Sequence, residues 1–286
     1  MANLKEIRTR ITSVASTMQI TSAMKMVSAA KLKRAQDAIT QMRPYAEKLS
    51  EILVNLSATL ENSTEGVYSQ EREIKKVLLV PIASNRGLCG AFNANIFKTT
   101  ERRIKKLSEF DVQVYPIGKR SVDYFTDKHT MFNSNLAVFN DLNFSSSTLI
   151  AQEIMDAFVA GSFDKVEIIY NEFVNAATQN IITEPFLPVR SEQTESLEMN
   201  VDYLFEPSKS SIVLDLIPKS LKVQFYKGLL DSHAAEHGAR MTAMHKATDN
   251  AQDLKDDLTL TYNRQRQAAI TNEILEIVGG AEALKQ

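Results

Sequence analysis

Few residues in this chain have the type and spacing for chemistry. His233, Glu236 and His237 form H-x-x-E-H, a pattern in which two histidines one helical turn apart hold Zn²⁺ in one class of peptidase. The pattern lies within a heptad segment, His237 falls in its seam, and no obvious third ligand exists, so no metal site is expected. Arg86-Gly87-Leu88-Cys89-Gly90 stands between a predicted strand and a predicted helix, where glycine-rich loops cradle phosphates. It lacks both G-x-G-x-x-G and G-x-x-x-x-G-K-[ST], which points to a tight turn rather than a nucleotide site. Cys89 has no histidine near it in sequence and reads as a small buried apolar group. His129 and His245 stand apart. No catalytic residue, no metal ligand and no cofactor site is expected.

What these residues sit on is more informative. After Pro218 there is no further proline, and Leu230, Ala234, His237, Met241, Met244, Thr248, Ala251, Lys255, Leu258, Tyr262, Gln265 and Ala269 recur at gaps of four and three. Eight of these twelve are apolar, the pattern of a helix that winds around another. At about 1.5 Å per residue such a helix reaches roughly 100 Å and needs a partner along its length. The partner lies at the other end of the chain, where the alternation runs from Leu4 through Ile7, Ile11 and Val14 to Leu60. Fourteen of its seventeen positions are apolar. The exceptions are Thr21, Lys25 and Ser28, and there the apolar residues slip to Ile20, Ala23, Met24, Met26 and Val27. A slip of this kind means that the seam rotates or that a third surface touches the helix. Pro44 should bend the helix or weaken one turn. Two such segments at opposite ends of one chain predict an antiparallel coiled coil closed by what lies between.

Composition bounds the answer. With 286 residues, 44% of them hydrophobic, and a net charge of −2, the chain can bury a sizeable core and has no general pull toward nucleic acid. No apolar run of about 18 residues is present to span a membrane. The start resembles neither a secretory signal nor a transit leader, and a single cysteine suits a reducing compartment. Charge is uneven. Residues 1–50 carry nine Lys/Arg against three acidic residues, whereas the helix after Pro218 balances nine with nine. A basic stiff arm is a docking surface for an acidic partner when its charges are not simply solvated.

Between the arms the pattern changes. Residues 61–74 read as a polar linker. VLLVPIAS, VQVYPIG, KVEIIYNEF and QNIITEPFLPV read as strands, the last at an edge because of its prolines. Helices are predicted over 91–107 and 119–128, and over 145–161 with serine and threonine caps and a stop at Gly161. Alternating strands and helices imply a small α/β layer, parallel in its first half. Residues 190–210 read as an exposed acidic loop. From Ala268 the chain is apolar on nearly every face, with Glu273, Glu276 and Glu282 almost its only charges. A helix apolar all round should be surrounded by protein. One partner helix covers one side, so other chains must supply a sleeve.

The segment Ile270-Thr271-Asn272-Glu273-Ile274-Leu275-Glu276-Ile277-Val278-Gly279-Gly280-Ala281-Glu282-Ala283 resembles the I-T-x-E-x-x-[DE]-x-x-x-G-A-x-[SAKR] signature of the F-type ATP synthase γ subunits. Ile7-Arg8 with Met18-Gln19-Ile20-Thr21-Ser22-Ala23-Met24-Lys25-Met26-Val27, Ser84-Asn85-Arg86-Gly87-Leu88-Cys89-Gly90, Gly238-Ala239-Arg240-Met241 and Ala247-Thr248-Asp249-Asn250-Ala251 are similar to further hallmarks of that family. The resemblance spans the whole chain. It implies an α/β fold plus a long antiparallel coiled coil, with N- and C-terminal helices wound together around a central small Rossmann-like α/β domain. The expected divisions are an N-terminal coiled-coil helix over 1–62, an α/β foot over 63–210, and a C-terminal coiled-coil helix over 211–286. The implied function is that of a non-catalytic central-stalk rotor, carrying torque between a proton-driven c-ring and the catalytic α/β hexamer. The implied partners are three α and three β subunits, the ε subunit and the c-ring. The implied place is the cytoplasmic side of a bacterial inner membrane, peripheral to it, with no cofactor and no nucleic acid.

By the same resemblance Arg266, Gln267, Thr271 and Glu273 would meet the β subunit near the tip, and Arg240 along the shaft. Met24, Lys25, Lys31, Lys33 and Arg34 would face an acidic lever segment of β. Simpler roles stand beside these: Met24 as seam packing, Thr271 as a hydroxyl bonded to its own helix backbone. The paired-cysteine insertion of chloroplast relatives is missing. The rival readings are a coiled-coil adaptor with a nucleotide-binding domain and a zinc peptidase, and neither accounts for an all-round apolar tip.

Overall fold

A computed structural model describes residues 4–58, 67–69, 72–189 and 209–283. The linker at 61–74 lies only partly within these residues, and the acidic stretch at 190–208 lies outside them. The elements run α1 (Leu4–Ala58), β1 (Lys76–Pro81), α2 (Phe92–Lys106), β2 (Asp111–Val114), α3 (Lys119–Phe125), α4 (Phe144–Val159), β3 (Lys165–Phe173), β4 (Gln179–Leu187) and α5 (Lys209–Ala283). Pro44 lies inside a continuous α1. Likewise α5 begins at Lys209, ahead of Pro218, which lies inside the helix rather than at its start. A proline within a helix removes one backbone hydrogen bond, and here neighbouring turns keep the helix running through it.

Packing divides the chain into two units, one of residues up to Ser28 with those from Met241 onward, the other from Ala29 to Arg240. In the second unit the strands form one sheet in the order β2-β1-β3-β4. The pairs β1–β2 and β1–β3 are parallel, and β4 pairs antiparallel with β3 at the edge. Pro185 is tolerated in β4 because its outer side needs no ladder donor.

Strand alternation builds a core on each face of the sheet. On one face Leu78, Val80, Ile168 and Tyr170 pack with Ile154, Met155 and Phe158 of α4 and with Leu221, Phe225 and Leu229 of α5. On the other, Val77 and Leu79 pack with Leu107, just after α2. The cap of α4 is Asn143, whose side chain accepts from the Ser146 N–H while Ser146 Oγ accepts from the Asn143 N–H. This capping box starts the helix ahead of the predicted serines. In this unit Lys31 lies near His233 and Glu236, and Arg43 lies nearer Asp231. Rising numbers on α1 meet falling numbers on α5, so the two helices run antiparallel.

In the first unit the seam is polar where the heptads predict it. Thr21 and Thr248 join across the helices by a hydroxyl–hydroxyl hydrogen bond of 2.8 Å. Ser28 is buried and donates to the Met24 carbonyl. Ile7, Met244 and Ala251 supply buried apolar positions. None of the described helices is long and apolar enough to cross a membrane.

Candidate partner-binding site

Three groups of predicted residues fall in different settings. The first is the basic arm on α1. Ile20, Met26 and Val27 are 60%, 67% and 58% exposed while Thr21 and Ser28 are buried, so the apolar face at the slip looks away from the seam. Met24 and Lys25 are half-buried beside it. Further along α1, Lys31, Lys33 and Arg34 are exposed. Lys33 pairs with Asp37 at 2.9 Å, an exposed i,i+4 bridge that offsets one positive charge of the arm.

The second group is the end of α5. Arg266, Gln267, Thr271 and Glu273 are exposed, together with Ile270, Ile274, Leu275, Ile277 and Val278. Thr271 Oγ1 donates to the Gln267 carbonyl at 2.9 Å, the simpler role foreseen for it. Both lone pairs of its oxygen remain for another donor. A contiguous exposed apolar face of this kind marks a surface that another protein covers.

The third group is internal. Arg240 is buried, not displayed along the helix surface. Its guanidinium donates to Glu236 Oε1 at 2.6 Å, to the Arg86 carbonyl at 2.9 Å and to the Gly87 carbonyl at 3.2 Å. Leu88 and Gly90 adopt positive φ, 62° and 60°, so the 86–90 stretch is a tight turn whose carbonyls are drawn together under one side chain. The turn seats Cys89, which packs buried with Phe92 and Ala235. Burial raises its thiol above the ordinary range, against nucleophilic use.

The histidines complete the network. His237 Nδ1 lies 3.3 Å from Arg240 Nη1, and arginine only donates, so Nδ1 accepts. The ring proton of His237 then sits on Nε2, 3.1 Å from His233 Nε2, which accepts it. Burial lowers both imidazoles well below their usual range, helped by the cations of Lys31 and Arg240. Burial raises the Glu236 carboxyl, against the pull of Arg240. The histidine lone pairs are thus directed to donors within the chain, the glutamate belongs to arginine, and two cations stand close by. This donor set does not suit a metal ion, and among the described residues no group of three potential ligands forms. The H-x-x-E-H pattern is a structural network.

The comparisons place the chain. The family model for ATP synthase matches residues 3–284. A relative from Flavobacterium psychrophilum, an ATP synthase gamma chain, is 62% identical over 285 residues covering all of both chains. The chain belongs to the ATP synthase gamma family. The gamma chain of Geobacter sp. is 45% identical, again over the full length of both. Solved structures share the fold. The central stalk of the Tetrahymena thermophila mitochondrial ATP synthase matches with a TM-score of 0.63 at 24% identity, over 80% of this chain and 99% of that one. A chain of the Euglena gracilis mitochondrial ATP synthase matches with a TM-score of 0.69 at 20% identity, over 98% and 94%. A gamma chain is a non-catalytic subunit of ATP synthase, which accords with a polar network that holds a turn in place rather than binding a substrate.

Proposed function

We propose that this chain is the torque-carrying rotor of the central stalk of a bacterial ATP synthase. In this reading the wound terminal helices form a shaft within a ring of three α and three β subunits. Residues 63–210 form the foot, set against ε and the c-ring. Proton flow turns ring and shaft, and the shaft's asymmetry takes the catalytic sites on β through different affinities in succession. The observation that carries the proposal is the apolar, exposed end of α5, which is accounted for when other chains surround it. Few charges there means few strong bonds to break as the tip turns.

The β contacts follow from the same surfaces. Arg266, Gln267, Thr271 and Glu273 meet β near the tip, and Met24, Lys25, Lys31, Lys33 and Arg34 face an acidic segment of β. Arg240, buried and bonded to Glu236 and to the Arg86 and Gly87 carbonyls, fixes the 86–90 turn and is not offered to a partner. With no described helix able to span a bilayer, the chain is peripheral, held at the cytoplasmic face of the plasma membrane through the c-ring. The test is the Arg266→Ala, Gln267→Ala double variant in the assembled enzyme. ATP hydrolysis and synthesis should fall more than assembly does. Unchanged catalysis would remove these residues from the contact.

A further inference from the structure

Beside α2, on the sheet face that this helix partly covers, lies a cleft of about 470 Å³. Two periodicities line it. Thr99, Arg102, Arg103 and Lys106 stand at i, i+3, i+4 and i+7, one face of α2. Lys165 and Glu167 of β3 alternate onto the same side, as Thr183 and Pro185 of β4 do from the edge strand.

Its charges do not cancel. Glu167, 3% exposed in the middle of an apolar strand, takes Arg103 Nε at 2.6 Å and Lys165 Nζ at 2.7 Å. Burial works to raise the Glu167 carboxyl, and those two donors outweigh it and hold it below its ordinary range. One carboxylate thus meets two cations, leaving a net positive charge at the floor. Arg102 and Lys106 add two more at the rim and form no ion pair among the described residues. Thr99 and Thr183 bring hydroxyls from opposite walls. The α2 C-terminus favours cations by its dipole, but that does not call for Lys165 on the neighbouring strand or for a concave site.

We propose that this cleft binds a phosphate-bearing anion. Arginine and lysine side chains around a concavity, with hydroxyl donors between them, match the geometry and charge of a phosphoryl group. The volume falls within the usual range for small-ligand sites, about 300–1,000 Å³, which admits a phosphate, a pyrophosphate moiety or a phospholipid headgroup. The proposal does not depend on the rotor reading, because the cleft belongs wholly to the α/β unit.

The experiment uses the full chain. Equilibrium dialysis measures binding of inorganic phosphate and pyrophosphate, and flotation measures binding to vesicles of an anionic phospholipid against vesicles of phosphatidylcholine alone. Two variants of equal charge loss are compared: Arg102→Gln with Lys106→Gln in the cleft, and Lys98→Gln with Lys105→Gln on α2 outside it. All four side chains are exposed or at the rim, so folding should survive, and circular dichroism checks it. The expected result is at least tenfold weaker binding in the cleft pair and little change in the control pair. Dependence seen with free phosphate or pyrophosphate names a soluble ligand; dependence seen with vesicles alone names a lipid headgroup. Equal loss in both pairs, binding of no phosphate species at millimolar concentration, or binding of an acidic peptide with no response to phosphate would each overturn the proposal.

Discussion

Replacing Arg240 with methionine should expose the energetics of the internal network more sharply than any other single change. The side chain keeps its apolar stem, and Glu236 is left in the core without its cation. Removing one partner of a buried pair costs about 3–5 kcal/mol. The penalty has a ceiling, because the carboxyl can take up a proton instead. With an unfolded-state pKa of about 4.3 and 1.36 kcal/mol per unit, protonation at pH 7 limits the loss to roughly 4 kcal/mol, and at pH 5 to roughly 1 kcal/mol. The Arg86 and Gly87 carbonyls lie near the surface and can turn to water, so they add little. The assay is urea unfolding of the purified chain at both pH values, for Arg240→Met, Glu236→Gln and the double variant. The single Arg240 variant should lose stability steeply at pH 7 and much less at pH 5. The double variant should recover most of that loss and show no such pH dependence. If the loss were the same at both pH values, or if the two single effects simply added, Glu236 and Arg240 would not be a coupled buried pair.

Two further outcomes follow from charge. Burial pushes Asp231 up to about 6 from 3.8, with Lys227 and Arg43 opposing the rise. A carboxyl whose folded pKa is raised stabilises the protein most at low pH and loses that contribution as pH rises through about 6. Asp231→Asn should therefore stabilise the protein at pH 8, by on the order of 3 kcal/mol at most, with the gain vanishing toward pH 4; the rise in melting temperature across that pH range checks it. On α1, replacing Lys31, Lys33 and Arg34 with glutamine should weaken association with αβ at low salt and flatten its salt dependence, because exposed charges act within a Debye length of about 8 Å at physiological ionic strength. An unaltered salt dependence would make that face merely solvated.

Much of this architecture can be read from spacing alone. The heptads at both ends, with Thr21 and Ser28 kept in the seam rather than rotated out of it, and the edge position of β4 all rest on local patterns that tertiary packing reinforces. The elements misjudged are those where a local rule yields to its surroundings. The heptad run is traced only after Pro218, because proline breaks interior hydrogen bonding, yet α5 runs through it from Lys209, close to the expected bound at 211. The capping box of α4 rests on Asn143, three residues ahead of Ser146, and its Asn-x-x-Ser spacing was the available signal. The resemblance gives Arg240 a contact along the shaft, whereas the structure buries it. Its spacing from Glu236, matched by that of His233 and His237, was the sign of an internal network. Glu167 was passed over in the same way. A carboxylate in the middle of KVEIIYNEF requires partners, and Arg103 is sixty-four residues away in sequence, beyond what local spacing can show.

The rotor reading stands or falls on assembly. The most direct measurement is co-expression of the tagged chain with α and β subunits, with the stoichiometry and MgATP hydrolysis of the purified complex and the rotation of a probe fixed to the α/β unit while β is immobilised. One copy per three αβ pairs, turning in one direction as ATP is consumed, is the expected result. A chain that purifies alone, or a complex that hydrolyses ATP while the probe stays still, would contradict it.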